Sequence, residues 1–170
     1  MDLNQNIFQG LKCFVSSTVL LLGISACAPQ MPNQASTALG LPIAPENIKD
    51  QDFADVPGQL YGIWKINYPQ DQVTKVDQVE KIYFKKNSAI FRMTCSKNGK
   101  IVADLAGEVA TALSATTIRI KQNLDLKKSD CTLKVVAQDY SYHVQASGAS
   151  ETALIGSNGL SYTYQRAQAP

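Results

Sequence analysis

From Leu60 onward apolar residues recur at every second position, which is the period of a β-strand whose two faces meet different surroundings. Leu60, Trp64, Ile66 and Tyr68 alternate with Tyr61, Ile63, Lys65 and Asn67, and Ile82 and Phe84 lie between Lys81, Tyr83 and Lys85. After Lys86-Asn87, Ala89, Phe91, Met93 and Cys95 oppose Arg92 and Thr94. Asn98-Gly99 then supplies a strong hairpin signal, because both turn residues tolerate positive φ. Ile101, Ala103, Leu105, Gly107 and Val109 follow on one face, with Lys100, Asp104 and Glu108 on the other. Further apolar rows are Ile118 with Ile120, then Cys131, Leu133, Val135 and Ala137, then Tyr140, Tyr142, Val144 and Ala146. The last row, after Ser157-Asn158-Gly159, holds Leu160, Tyr162, Tyr164 and Arg166. The pattern predicts eight or nine short strands and no helix after Pro57.

Strands with one polar and one apolar face are those of antiparallel sheets solvated on one side. Successive hairpins that hide one face predict an all-β domain, a small antiparallel up-and-down β-barrel of about eight strands. A two-sheet β-sandwich is the alternative. About 110 residues in eight strands enclose a narrow interior, filled by side chains or by one small ligand. Five of the seven tyrosines fall on the inward rows. Phe91, Met93, Tyr142 and Tyr162 are the candidates to line a pocket for a small hydrophobic ligand, and the competing reading is that the tyrosines fill a solid core.

Upstream of the strands the character changes. Residues 28–45 hold four prolines among Gln, Asn, Ser, Thr and Ala without sustained period, the composition of an extended spacer. Residues 47–56 suit a short helical turn laid across the domain, ended by Pro57-Gly58. Residues 14–24 form an apolar run too short to span a bilayer, which takes roughly 20 residues, and fit the core of a signal peptide. Ile24-Ser25-Ala26-Cys27 directly after it resembles the lipobox of bacterial lipoproteins. That resemblance implies a leader over 1–26, a lipid on Cys27, a flexible tether over 27–55 and a β-barrel domain over 56–170. It also implies a membrane partner through the lipid and a place in the cell envelope. Ala28, where an Asp would signal inner-membrane retention, points to the outer membrane.

The formal net charge is +2, and from Val56 onward 14 Lys and Arg face 9 Asp and Glu. A modest excess of this kind suits an anionic envelope surface and falls short of the basic stripe of a nucleic-acid binder. Of the four cysteines, Cys13 lies in the expected leader and Cys27 at the lipid site. Cys95 and Cys131 remain, and in an exported domain two cysteines predict one disulfide. Those two and the single His143 are too few for a metal site, so no metal or cofactor is expected. His143 falls on the outward row with no nucleophile motif to serve, and Asp77 and Glu80, beside a strand start, read as solubility charges. No catalytic residue is assigned, and no enzyme activity is expected.

Gly62-Ile63-Trp64 on the first strand resembles the G-x-W signature of lipocalins and related calycin barrels. Arg166, two residues past Tyr164, matches in place the arginine that those families carry on or after the last strand. The resemblance implies that Gly62, Trp64 and Arg166 close the barrel end, with the guanidinium across the indole in a cation–π contact. The chain is shorter than that family pattern and lacks a T-D-Y motif. With the lipobox, the whole resembles bacterial lipocalin-like lipoproteins, which implies a binding module for a small hydrophobic molecule. Two readings stand beside it. One is an outer-surface module for an envelope protein, such as an inhibitor of an exported hydrolase, with contact through loops at 71–78 and 123–130. The other is a purely structural envelope protein.

Overall fold

The computed structural model describes residues 39–53, 59–148 and 150–167. The expected leader, Cys27 and the first part of the tether lie outside them. Eleven strands follow in order: β1 (Leu41–Pro42), β2 (Gly62–Asn67), β3 (Asp77–Phe84), β4 (Ser88–Lys97), β5 (Lys100–Leu113), β6 (Thr117–Ile120), β7 (Leu124–Lys128), β8 (Cys131–Val135), β9 (Asp139–Ser147), β10 (Ser150–Ser157) and β11 (Leu160–Arg166). Eight of them form an antiparallel ring in the order β5-β4-β3-β2-β11-β10-β9-β6, with β6 pairing back to β5. The domain is therefore all-β, an up-and-down barrel in which the last strand, β11, closes on β2. Closure is uneven. β3 and β4 pair over eight positions, whereas β11 meets β2 only at Gln165↔Lys65 and Arg166↔Trp64.

The turns follow from their residues. Asn98 and Gly99 take φ of 52° and 73°, and Asn158 and Gly159 take 52° and 79°, the backbone that two-residue hairpins require. The inward rows meet in one buried cluster that includes Trp64, Ile82, Phe84, Phe91, Ile118, Ile155 and Tyr164. Cys95 and Cys131 form a disulfide with Cα atoms 5.9 Å apart.

Two parts of the chain depart from the sequence reading. The row Cys131, Leu133 and Val135 is not a ring strand. β7 and β8 form a separate two-stranded hairpin, packed on β4 and β5. Its alternate residues Leu124, Leu133 and Val135 turn into the barrel core, so its period matches that of a ring strand. Gly107 makes room for it: a Cβ there would come within 2.5 Å of Leu124 Cδ1. The disulfide thus ties this off-ring hairpin to β4, and the segment expected as a contact loop at 123–130 is mostly β7.

The second departure is the expected tether over 27–55. Leu41 and Pro42 pair with Glu108 and Gly107 of β5, and two 3-10 turns, Pro45–Asn47 and Asp50–Phe53, lie on the outside of the barrel. There Ile48 and Phe53 bury Ile63, Tyr83, Ile90 and Ala106 in a second apolar cluster. The Phe53 and Tyr83 rings stand 5.0 Å apart, and Asp50 accepts from Lys81 Nζ at 2.6 Å and from the Tyr83 hydroxyl at 2.9 Å. The folded unit therefore begins well before residue 56.

Candidate functional site

The ring encloses a cavity of about 400 Å³. Ile82, Phe84 and Phe91 of β3 and β4 form one wall, and Ile118, Ile120 and Ile155 form the other. Their positions follow from strand period, since each lies two or four residues from another inward side chain on its strand. Lys134 and Val135 of the off-ring hairpin and Gln138 bound it further. Leu160 and Tyr162, 66% and 46% exposed, stand at its mouth.

One lining group is out of character. Glu80 shares the parity of Ile82 and Phe84 on β3, is 8% exposed, and reaches the cavity. The Tyr68 hydroxyl donates to Glu80 Oε2 at 2.8 Å and the Tyr164 hydroxyl to Oε1 at 3.1 Å. Tyr162 packs edge-on to Tyr68 with ring centroids 6.2 Å apart. Burial pushes the Glu80 carboxyl above the usual carboxylate range, and the two donated hydrogen bonds only partly offset this. Burial, and then the neighbouring Glu80 charge, push the Tyr68 and Tyr164 hydroxyls up as well, so both stay protonated donors. Reading Glu80 as a solubility charge was therefore wrong. The signal that identifies it is its place on an apolar inward row.

A second cluster lies where β11 meets β2. The Arg166 guanidinium sits 4.3 Å from the Trp64 ring centroid, and Trp64 is fully buried. Arg166 donates to the Tyr61 carbonyl at 2.6 Å, to the Gln59 carbonyl at 2.9 Å, and to Glu151. Trp64 Nε1 donates to the Leu60 carbonyl at 2.7 Å. Gly62 has φ 101°, and a Cβ there would lie 3.0 Å from Arg166 Nη1. The backbone therefore favours glycine at this position, and a side chain there would crowd the guanidinium. These contacts tie the 59–61 segment across the strand ends.

No protein-family model, curated protein or solved structure matches the chain.

Of the four residues expected to line a pocket, Phe91 and Tyr162 do so. Met93 and Tyr142 do not: both are taken up in the packed core. The Tyr142 hydroxyl donates to the Ser114 carbonyl at 2.7 Å, which holds that ring at the turn between β5 and β6. Lys134 and Gln138 escaped the sequence reading, because a hairpin outside the ring and the segment that follows it bring them in, whereas Tyr68, on the expected inward row, does line the cavity. His143 is exposed on β9, opposite Leu154. Among the described residues, no group of three His, Cys, Asp or Glu side chains is placed to hold a metal ion.

Proposed function

We propose that the chain is a cell-envelope lipoprotein of lipocalin-like type, anchored through lipid on Cys27 and binding one small, mainly apolar molecule inside its barrel. The observation that carries the reading is the cavity of about 400 Å³, walled by isoleucines and phenylalanines with a few convergent polar groups. Its volume lies within the roughly 300–1,000 Å³ of small-molecule sites. Gly62, Trp64 and Arg166 add support, since they stand together in the way the calycin resemblance implies. The lipobox-like Ile24-Ser25-Ala26-Cys27 supports the anchor, and through it the outer membrane as the location. Binding is the role this arrangement favours, because Glu80 with its two tyrosine donors stands in an otherwise largely apolar wall.

Native mass spectrometry of the full chain, purified from the cells that make it, tests this. A reproducible extra mass, non-covalent and lost on denaturation, is expected alongside the covalent lipid. A chain that carries only its covalent lipid, and that takes up no neutral apolar probe such as phenethyl alcohol, overturns the reading.

A further inference from the structure

We propose that the molecule this cavity selects carries a cationic amine on a compact apolar body, with the ammonium group docked on Glu80. The inference rests on the small-ligand reading above and goes on to name the ligand class. A carboxylate offers about four acceptor positions on its two oxygens, and the tyrosines occupy one on each. The remaining lone pairs belong to a side chain that is buried and lines the cavity. An ammonium group brings three donors and the missing positive charge.

Glu80 takes part in none of the ion pairs among the described residues. Among the described residues, Lys134 is the one basic residue lining the cavity, and it is exposed on the hairpin, in register with Asp125. A buried carboxylate without a counter-charge is costly, and a ligand cation relieves that cost where a neutral ligand does not. The rings of Tyr68, Tyr162 and Tyr164 surround the same space, and aromatic faces favour a cation. The apolar body meets Ile82, Phe91 and Ile155. A ligand carboxylate in the same place faces like-charge repulsion.

Calorimetric titration of the full chain with phenethylamine, phenethyl alcohol and phenylacetate separates the alternatives, since the three share one body and differ in head group. At neutral pH phenethylamine should bind roughly 10–100-fold more tightly than the alcohol, the range expected for hydrogen bonds to a charged partner. Phenylacetate should bind most weakly. Glu80→Gln keeps the shape and an acceptor, and should bring the amine and the alcohol to similar affinity. Equal affinity of amine and alcohol in the unmodified chain, or a preference that survives Glu80→Gln, overturns the inference and leaves the small-ligand reading standing. Failure of all three probes to bind overturns the inference, and together with a chain that carries only its covalent lipid it removes the small-ligand reading too.

Discussion

Arg166→Ala tests the closure of the barrel most directly, because this one side chain joins the last strand to the segment before the first. The guanidinium over Trp64 contributes on the order of 0.5–2 kcal/mol. Its hydrogen bonds to the Tyr61 and Gln59 carbonyls are charge-assisted, each worth roughly 1.5–3 kcal/mol when fully buried. Arg166 keeps 27% of its side-chain surface exposed, so the lower end applies. The pair with Glu151, itself 40% exposed, adds about 0–1 kcal/mol. These contacts share one group and do not add independently, so the expected loss is about 2–4 kcal/mol. For a domain of this size that lowers Tm by roughly 6–14 °C. Trp64 is the only tryptophan, so its fluorescence reports unfolding and senses removal of the guanidinium from its face. Arg166→Lys keeps the charge but cannot stack on the ring and hold two carbonyls at once, and should recover only a minor part of the loss. A Tm within about 2 °C of the unmodified chain, with unchanged emission, would refute the closing role.

The disulfide and Glu80 give two further tests. Cys95 and Cys131 are 36 residues apart, and opening that loop by the double Cys→Ser change should cost about 4 kcal/mol of loop-closure entropy. Because β8 belongs to the off-ring hairpin, amide hydrogen exchange should accelerate at 124–135 before it does in β3, and an unchanged denaturation midpoint would contradict this. For Glu80 the raised carboxyl means that the folded state holds the proton more tightly than the unfolded chain, whose value is near 4.5. Its stabilisation is present below that pH and is lost as pH rises through the folded value. Glu80→Gln, with no such titration, should therefore gain on the unmodified chain in denaturation midpoint between pH 5 and pH 8. Asp50, Asp71, Glu108 and Asp139, whose values are lowered, lose their contributions in the acid range in both proteins and cancel in the difference. A constant difference across that range would show that Glu80 titrates alike in the folded and unfolded states.

Much of this architecture was legible because it is local or periodic. Asn98-Gly99 and Asn158-Gly159 announce their hairpins, and a two-residue period places Trp64, Phe91 and Tyr164 inside. Period says nothing about what covers the outer face. Ile63 and Tyr83 read as outward residues on an exposed side, and they are buried because a proline-containing segment from upstream lies over them. Nor does period say which sheet a strand joins. Leu133 and Val135 alternate like ring residues, yet their hairpin leaves the ring after β6, which is only four residues long. Those facts depend on contacts far apart in sequence, which alternation does not encode.

The same contacts explain why an opening remains where it does. The off-ring hairpin takes up interior volume beside β4 and β5, with Leu124 against Gly107 and Cys131 bonded to Cys95. Arg166 and Trp64 consolidate the place where β11 meets β2. The space left lies along the inward rows of β3, β10 and β11, and Glu80 stands in it. Stability alone would favour a leucine or methionine there, since exchanging a buried charge for a packed apolar side chain is often neutral or stabilising. Tyr68 and Tyr164 would then have no acidic partner to hold, and their hydroxyls would need others. A carboxyl with two dedicated donors, set in an apolar wall beside an accessible mouth, is instead what recognition of a charged ligand head requires. On the proposed reading, the cost of burying it in the free protein is recovered when a cation binds, which would make the site selective as well as apolar.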